Sequence, residues 1–412
     1  MVALNAHGDS RRWLAGVNFF LADVRDGLGP FLGVFLVGHG WRADDIGYLM
    51  TAAGLAGMLA TAPMGAWVDA SRRKRGLLAG ASLALIVCNL ALWAAPVAGV
   101  AAITQILGAI IGALFAPAIM GLTLGLVGPR GLSRQLGVNE AWNHAGNVAA
   151  AALAGLAGYR WGLSAVFVLM TVMPCGAFIC LRRIRPRDID HGVARGLESD
   201  GAAAPVLSIW QLLAGSRDLR LVALVMMLFH LGNAAMLPLL GQAAIARGQG
   251  DPSAYTALTI IIAQLVMIPA ALLAGRFARH FGYWRLVAFA CWVLPARGLL
   301  AAALPPSCAL IPAQVMDGVA AGLLGVALPG LVASVLRGSG HVNLGLGAVM
   351  SIQGVGAALS PALAGWVAQR HGYASAFVAL SAVAAAALVL LALRPRISAR
   401  RPFAIAQSRQ DG

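Results

Sequence analysis

The chain has 412 residues, of which 60% are hydrophobic and 11% are charged, and its formal net charge is +15. Soluble domains carry about 25% charged residues, so this composition excludes a water-soluble globular protein. It also leaves no soluble basic domain for nucleic acid, so the positive charge is interpreted as a feature of membrane topology.

Twelve apolar segments are long enough to cross a bilayer, which takes about 20 residues per helix. They lie at about 13–37, 46–68, 77–95, 99–127, 138–158, 161–181, 219–244, 254–275, 286–304, 308–336, 343–367 and 373–394. The pattern repeats at a spacing of 210 residues: Leu153-Ala154-Gly155 returns as Leu363-Ala364-Gly365, and Gly146 returns as Gly356. This repeat indicates a duplicated unit of six spans.

An even number of spans in each repeat gives both copies the same orientation in the membrane. We therefore predict an all-α membrane protein with twelve transmembrane helices in two six-helix bundles, related by a pseudo-two-fold axis along the membrane normal. The predicted domains are an N-terminal bundle (1–182), a cytoplasmic linker with an interfacial helix (183–216), a C-terminal bundle (217–396) and a cytoplasmic tail (397–412). The linker is predicted to be flexible, with its apolar end at 206–213 in the membrane interface.

The basic residues predict the orientation of the spans. Arg42, Arg160, Arg247 and Arg370 lie in loops on one side, whereas most other Lys and Arg residues lie on the opposite side. The positive-inside bias makes that second side cytoplasmic. We therefore expect a multi-pass protein of the inner membrane with both termini in the cytoplasm.

Span one carries charges, which cost about 2.5–3.5 kcal/mol each at the bilayer centre on insertion scales and therefore indicate function. Asp23, Arg25 and Asp26 precede a group of Gly and Pro residues that is predicted to kink the helix. Asp23 and Asp26 are three residues apart and share a helix face. A carboxylate holds a proton more tightly when desolvated and less tightly beside a cation. The trio is predicted either to carry a proton or to form a static ion-pair network around Arg25.

The loop after span two, from Gly65 to Arg75, resembles the G-x-x-x-D-R-x-G-R-[RK]-[RK] signature of the major facilitator superfamily. Ala70 and Arg72 replace the usual Arg and Gly of that signature. The resemblance covers nearly the whole chain. The matching positions are Gly65, Asp69, Arg73, Lys74 and Arg75.

The resemblance implies a secondary transporter in which this loop forms a cytoplasmic gate that locks in one state and is released in the other. Gly65 is expected to permit close helix approach, and Asp69 to bind helix-terminal N–H groups or the adjacent cations. The alternative is that the cations only determine topology. Two other family motifs are missing: Thr104 replaces an Arg in span four, and span five has no Gly-Pro. Multidrug export therefore does not follow by analogy.

Span five carries a polar stripe, Glu140, Asn143, His144 and Asn147, whose spacing places it on one helix face. Such a stripe is disfavoured against lipid, so it is predicted to join the cavity or to hold span five to a neighbour. Glu140 lies near the cytoplasmic end and is assigned to the gate. Asn143 and Asn147 are candidate substrate contacts. His144 is either a titrating group or a hydrogen-bonded packing residue.

The resemblance also implies that spans one, four, seven and ten line a central cavity. His230 and Asn233 of span seven, with Gln314 and Asp317 of span ten, are then expected to converge with the acids of span one near the midplane. Asp317 is predicted to bind a proton or to form a static pair with Arg297 of span nine. For Arg297 itself we expect a structural or snorkelling role.

The remaining chemistry of the sequence does not indicate an enzyme. The five cysteines are scattered without metal-ligand spacing, so neither a disulfide framework nor a metal site is predicted. The sequence has no nucleophile–base motif and no phosphate-binding glycine loop, so we expect no enzyme activity and no cofactor.

These observations predict a proton-coupled secondary transporter that exports a small organic molecule by alternating access. The expected partners are a small-molecule substrate, protons and the lipid bilayer, with no nucleic acid, and the expected state is a monomer. One alternative is proton-linked uptake of an organic anion or metabolite, with Arg25 as the counter-ion. A non-transporting membrane receptor on the same fold is the other.

Overall fold

The computed structural model describes residues 2–26, 29–190, 193, 209–248, 251–336 and 342–393. All regular structure in these ranges is helical. The helices are α1 Val2–Asp26, α2 Gly29–Gly38, α3 Ala43–Ala70, α4 Lys74–Ala94, α5 Ala98–Gly112, α6 Phe115–Trp161, α7 Ser164–Arg183, α8 Ile209–Gly215, α9 Arg217–Asn233, α10 Met236–Ala246, α11 Pro252–Phe281, α12 Tyr283–Ala303, α13 Pro306–Val335, α14 Val342–His371 and α15 Tyr373–Ala392, with a 3-10 turn at Pro186–Asp188.

Ten stretches of the described helices are long and apolar enough to cross a membrane. The other two predicted spans are the first, which is divided between α1 and α2, and the fifth, whose polar stripe lowers its hydropathy. Span four is divided between α5 and the first part of α6, and span five lies in the second part of α6, which is interrupted at Gly128 with φ 65° and ψ 175°. A positive φ costs glycine little, so Gly128 can reverse the chain between the two spans.

The 210-residue repeat is preserved in the backbone and in helix packing. Gly162 and Gly372, one repeat apart, have nearly identical φ angles of 82° and 83°. A Cβ on Gly146 would collide with the Phe19 carbonyl, and one on Gly356 with the Met227 carbonyl. Glycine at these two positions therefore lets span five contact span one and span eleven contact span seven in the same way.

The described residues pack into two compact units. The first lies within Met1–Asp200 and Leu237–Gln264, and the second within Gly201–Met236 and Leu265–Gly412. The adjoining ends of spans seven and eight thus pack with the first unit, where Gly155 faces Ala257 and Gly158 faces Ser253. These units follow close contacts, whereas the predicted domain boundaries follow the duplication of the sequence and stay a prediction.

The beginning of the linker is packed rather than flexible, which corrects the sequence-based expectation for 184–190. Ile184 and Ile189 are buried in the core of the first unit. Ser10 Oγ donates a hydrogen bond to Asp188 Oδ2 at 2.6 Å, and the Asp190 amide donates to the Gly125 carbonyl at 2.9 Å. The predicted interfacial segment coincides with α8 from residue 209, whereas 194–208 and the predicted tail at 397–412 lie outside the described residues.

Candidate functional site

A buried ion pair joins three spans of the second unit. Arg297 of α12 is 2% exposed, and its Nη1 donates to Oδ1 of Asp317 in α13 at 2.6 Å. The same Nη1 donates to Oδ1 of Asn233, the last residue of α9, at 2.7 Å. One guanidinium group therefore links spans seven, nine and ten.

The backbone around this pair explains its position. Span seven breaks directly after Asn233, and the amide of Ala235 in the break donates to Ser360 Oγ of α14 at 3.0 Å. Gly298, beside Arg297, has no room for a side chain, because a Cβ would meet Met236 and the Phe377 carbonyl. Glycine thus lets α12 pack directly on α15, while the neighbouring Arg297 contacts α13.

The electrostatics of the pair follow from its burial. An unpaired cation inside a bilayer protein is costly, and an Arg cannot relieve that cost by losing its proton. The side chain of Asp317 is 15% exposed, whereas that of Arg297 is 3% exposed. The ion pair that the sequence offered as an alternative for Asp317 is therefore present. Of the structural or snorkelling role expected for Arg297, the pairing agrees with the structural one, whereas snorkelling does not fit a side chain that is 3% exposed.

Gln314 lies one helical turn before Asp317 and is fully buried. Neither its Nε2 nor its Oε1 has a hydrogen-bond partner among the described residues. A buried amide without partners costs free energy, and this one offers both a donor and an acceptor to a polar guest. His230, on α9, is half-buried, and its Nδ1 lies 2.9 Å from the Met226 carbonyl oxygen.

The polar stripe of span five lies in the first unit. His144 Nδ1 is 2.9 Å from Gln264 Oε1 of α11, which joins spans five and eight. Asn143 and Asn147 are half-buried, and Glu140 is exposed. The contact at His144 agrees with the predicted alternative in which the stripe holds span five to a neighbour.

Three polar side chains of the first unit form a ladder of hydrogen bonds that the sequence did not predict. Gln135 Nε2 donates to Asn139 Oδ1 at 3.0 Å, and Asn139 Nδ2 donates to Thr123 Oγ1, also at 3.0 Å. All three side chains are buried, and the ladder connects the two arms of α6 across the break at Gly128. The spacing of Gln135 and Asn139, four residues apart at the start of span five, was the available signal.

The charged trio of span one remains a prediction. The backbone of α1 is helical through Asp26, and α2 begins at Gly29. The side chains of Asp23, Arg25 and Asp26 lie outside the described residues. Their convergence with the residues of spans seven and ten is therefore an expectation of the sequence alone.

Two cations of the basic loop cap helix ends. Lys74 is 2% exposed, and its Nζ donates to the carbonyls of Val68 at 2.8 Å and Ser71 at 3.1 Å, where α3 ends. Arg75 Nη1 donates to the carbonyl of Leu181 at 3.2 Å and to that of Ile184, where α7 ends. Cations at these positions satisfy free carbonyls and interact favourably with the helix dipole.

The close approach expected at Gly65 is absent from this structure, since a Cβ there would meet no described heavy atom within 4 Å. Arg73 is the N-cap residue of α4, and its amide donates to Ser71 Oγ at 3.0 Å. The side chain of Asp69 lies outside the described residues. In this structure the loop caps helix ends through Lys74 and Arg75. Its role as a gate stays a prediction.

Ten described stretches able to cross a membrane, a 210-residue repeat and polar groups buried inside the spans are features of a multi-pass membrane protein. The family model described as Major Facilitator Superfamily matches residues 14–294 and 222–409. The chain belongs to this family. Two relatives from Mycobacterium tuberculosis, the uncharacterized MFS-type transporters MT2531 (strain CDC 1551 / Oshkosh) and Rv2456c (strain ATCC 25618 / H37Rv), are each 38% identical over 379 residues, covering 91% of this chain and 90% of the relative.

Solved structures confirm the predicted fold class. A variant of the nucleoside transporter NupG has a TM-score of 0.76 at 11% identity, covering 93% of this chain and 99% of the transporter. A bacterial homologue of the human lysosomal transporter Spinster, in an inward-facing and unoccupied conformation, has a TM-score of 0.68 at 14% identity, covering 94% of this chain and 95% of the homologue. At these identities the likeness shows the fold alone, which is the twelve-helix, two-bundle fold.

Proposed function

We propose that this transporter is proton-coupled, that Asp317 carries the proton, and that a small organic molecule is exported by alternating access. The observation that carries the proposal is the bond between the buried Arg297 guanidinium and Asp317, the more exposed member of the pair. A proton on Asp317 would remove the negative charge that compensates Arg297. Loading the proton would therefore favour a rearrangement of spans seven, nine and ten that rehydrates or re-pairs the guanidinium.

The polar groups around the pair support an uncharged, hydrogen-bonding substrate for the export reaction. Gln314 presents a donor and an acceptor that no described residue engages, and Asn233 and His230 lie on α9 within the same unit. Arg297 is neutralised by Asp317 in this structure, so the second unit binds such a substrate without a free charge. In the first unit we assign substrate contact to Asn143 and Asn147. His144, which contacts Gln264, acts as a positioning residue.

A second candidate function follows from the same ion pair. If a proton occupies Asp317, Arg297 becomes a buried cation without its partner, and an anionic substrate would compensate it. This reaction would be proton-linked uptake of an organic anion. Arg25 was the counter-ion expected from the sequence; we add Arg297 as a second candidate, because it is buried beside Asp317.

The remaining expectations complete the proposal. Asp23 and Asp26 are the alternative proton carriers, and the loop from Gly65 to Arg75 together with Glu140 forms the gate at the basic end of the bundles. The basic end faces the cytoplasm with both termini, in the inner membrane, because of the distribution of Lys and Arg. We propose that the transporter works as a monomer.

The test is transport by the full chain in proteoliposomes that contain a pH-sensitive dye, screened over neutral, cationic and anionic compounds. We expect at least one compound to move protons with the wild-type chain, and Asp317→Asn to abolish the proton movement. Asp44→Asn, a change of an acid in the exposed Arg42–Asp44 pair, is the matched control and should retain full activity. Full proton-linked flux in Asp317→Asn would refute the assignment to Asp317, and the same assay with Asp23→Asn and Asp26→Asn would then identify the carrier.

The two candidate functions differ in their response at Arg297. Paired replacement by Arg297→Gln and Asp317→Asn should abolish binding of an anionic substrate, but it should leave binding of a neutral substrate within about threefold, because no buried charge remains. If no compound moves protons with the wild-type chain, coupling is refuted and facilitated diffusion replaces it.

A further inference from the structure

An apolar groove with a volume of about 530 Å³ runs along α11 in the second unit. Its floor is formed where α13 meets α11, because Gly322 has no room for a side chain beside Ala270 and the Met267 carbonyl. Exposed aromatic side chains, Phe277, Phe281 and Phe289, form its walls. None of the candidate proton or substrate residues described above lines the groove.

The length of the groove corresponds to about one leaflet of a bilayer. Its lining on α11 extends from Val266 to Phe281, a separation that spans about 22 Å at the rise of an α-helix. One leaflet, counted with its headgroup region, measures about 20–22 Å. The groove therefore extends from the middle of the membrane-spanning segment to the end of α11, where a lipid headgroup would lie.

A cation lies at that end of the groove. Arg285, in the first turn of α12, is exposed, lines the groove, and makes no hydrogen bond or ion pair with any residue in the described ranges. Its counterpart one repeat earlier, Arg75, also lines a groove, of about 590 Å³. The Arg75 guanidinium, however, is engaged with the carbonyls of Leu181 and Ile184. Arg285 is thus the member of the repeated pair that is available to a ligand.

We propose that this groove binds one anionic phospholipid, with an acyl chain against α11 and the phosphate at Arg285. The groove is as long as one leaflet, and the guanidinium at its end has no partner in the described part of the chain, so the two features match the acyl chain and the phosphate of such a lipid. A lipid without net charge would fill the groove but would not neutralise Arg285. A free anion would bind Arg285 but would leave the apolar walls of the groove uncovered. The site is independent of proton coupling and of the transported substrate.

The test is native mass spectrometry of the full chain in detergent, titrated with phosphatidylglycerol and with phosphatidylcholine of the same acyl chains. We expect the first phosphatidylglycerol to bind about five- to tenfold more tightly than phosphatidylcholine. Arg285→Gln should reduce this preference to near one. Arg279→Gln removes an exposed cation of α11 that does not line the groove, and it should leave the preference unchanged.

A second variant tests the apolar part of the site without changing charge. Leu273 is 42% exposed in the groove. Leu273→Trp should therefore fill the groove and weaken binding of both lipids, while the melting temperature of the protein stays unchanged. Equal loss in Arg279→Gln and Arg285→Gln would overturn the proposal in favour of general surface attraction. Saturable binding of inorganic phosphate that displaces no lipid would overturn it in favour of a free-anion site. Displacement of the lipid by a transported compound, at the concentration that supports transport, would overturn it in favour of a substrate entrance.

Discussion

Asp317→Asn tests whether the buried Arg297 depends on a charged partner for stability. The variant keeps the size of the side chain but removes the negative charge 2.6 Å from Arg297 Nη1. Breaking a buried ion pair from one side costs about 3–5 kcal/mol, because the remaining charge is left uncompensated. Asn233 stays 2.7 Å from the same nitrogen and supplies one neutral hydrogen bond. We therefore expect the free energy of unfolding to fall by about 3 kcal/mol, at the lower end of that range.

The measurement is the free energy of unfolding of the purified full chain in mixed micelles, followed by circular dichroism as the denaturing detergent is increased. Asp44→Asn is the control, because it breaks an ion pair whose Arg42 side chain is 63% exposed. Exposed pairs contribute little to stability, so this control should unfold like the wild-type chain.

A double variant separates the charge from the packing. Arg297→Met with Asp317→Leu removes both charges while keeping apolar volume, and we expect it to recover most of the lost stability. The reasoning is refuted if Asp317→Asn is as stable as the wild-type chain at neutral pH. That result would mean that Asp317 already holds its proton, or that another anion compensates Arg297.

Two further predictions concern helix contacts in the first unit. Gly146→Leu should destabilise the chain by about 1–3 kcal/mol in the same unfolding assay, since the new side chain would collide with the Phe19 carbonyl. Gly65→Leu is the control, because it makes the same change at a position with open space. An equal loss of stability in Gly65→Leu would contradict the packing argument. His144→Ala should cost about 1 kcal/mol by removing the bond to Gln264 while leaving proton-linked flux in proteoliposomes intact, and loss of that flux in a stably folded variant would show that His144 titrates.

Much of the fold follows from local features of the sequence. Hydropathy and segment length predicted the spans, and the offset of 210 residues predicted that Gly146 and Gly356 occupy equivalent places. Each of these properties can be recognised in one helix by itself, because a backbone buried in lipid must form a continuous apolar helix whichever neighbours that helix packs against. The charged residues that carry the proposed function were visible for the same reason, since a charge inside an apolar span stands out.

The partners of those residues were decided only by tertiary structure. Asp317 and Arg297 were a candidate pair in the sequence, but the third member, Asn233, and the burial of Arg297 depend on how α9, α12 and α13 pack. The bond from His144 to Gln264 likewise depends on a span that packs with the first unit although it follows the linker in sequence. A helix presents its side chains in every direction around its axis, and only its rotation and close packing against particular neighbours determine which polar groups meet.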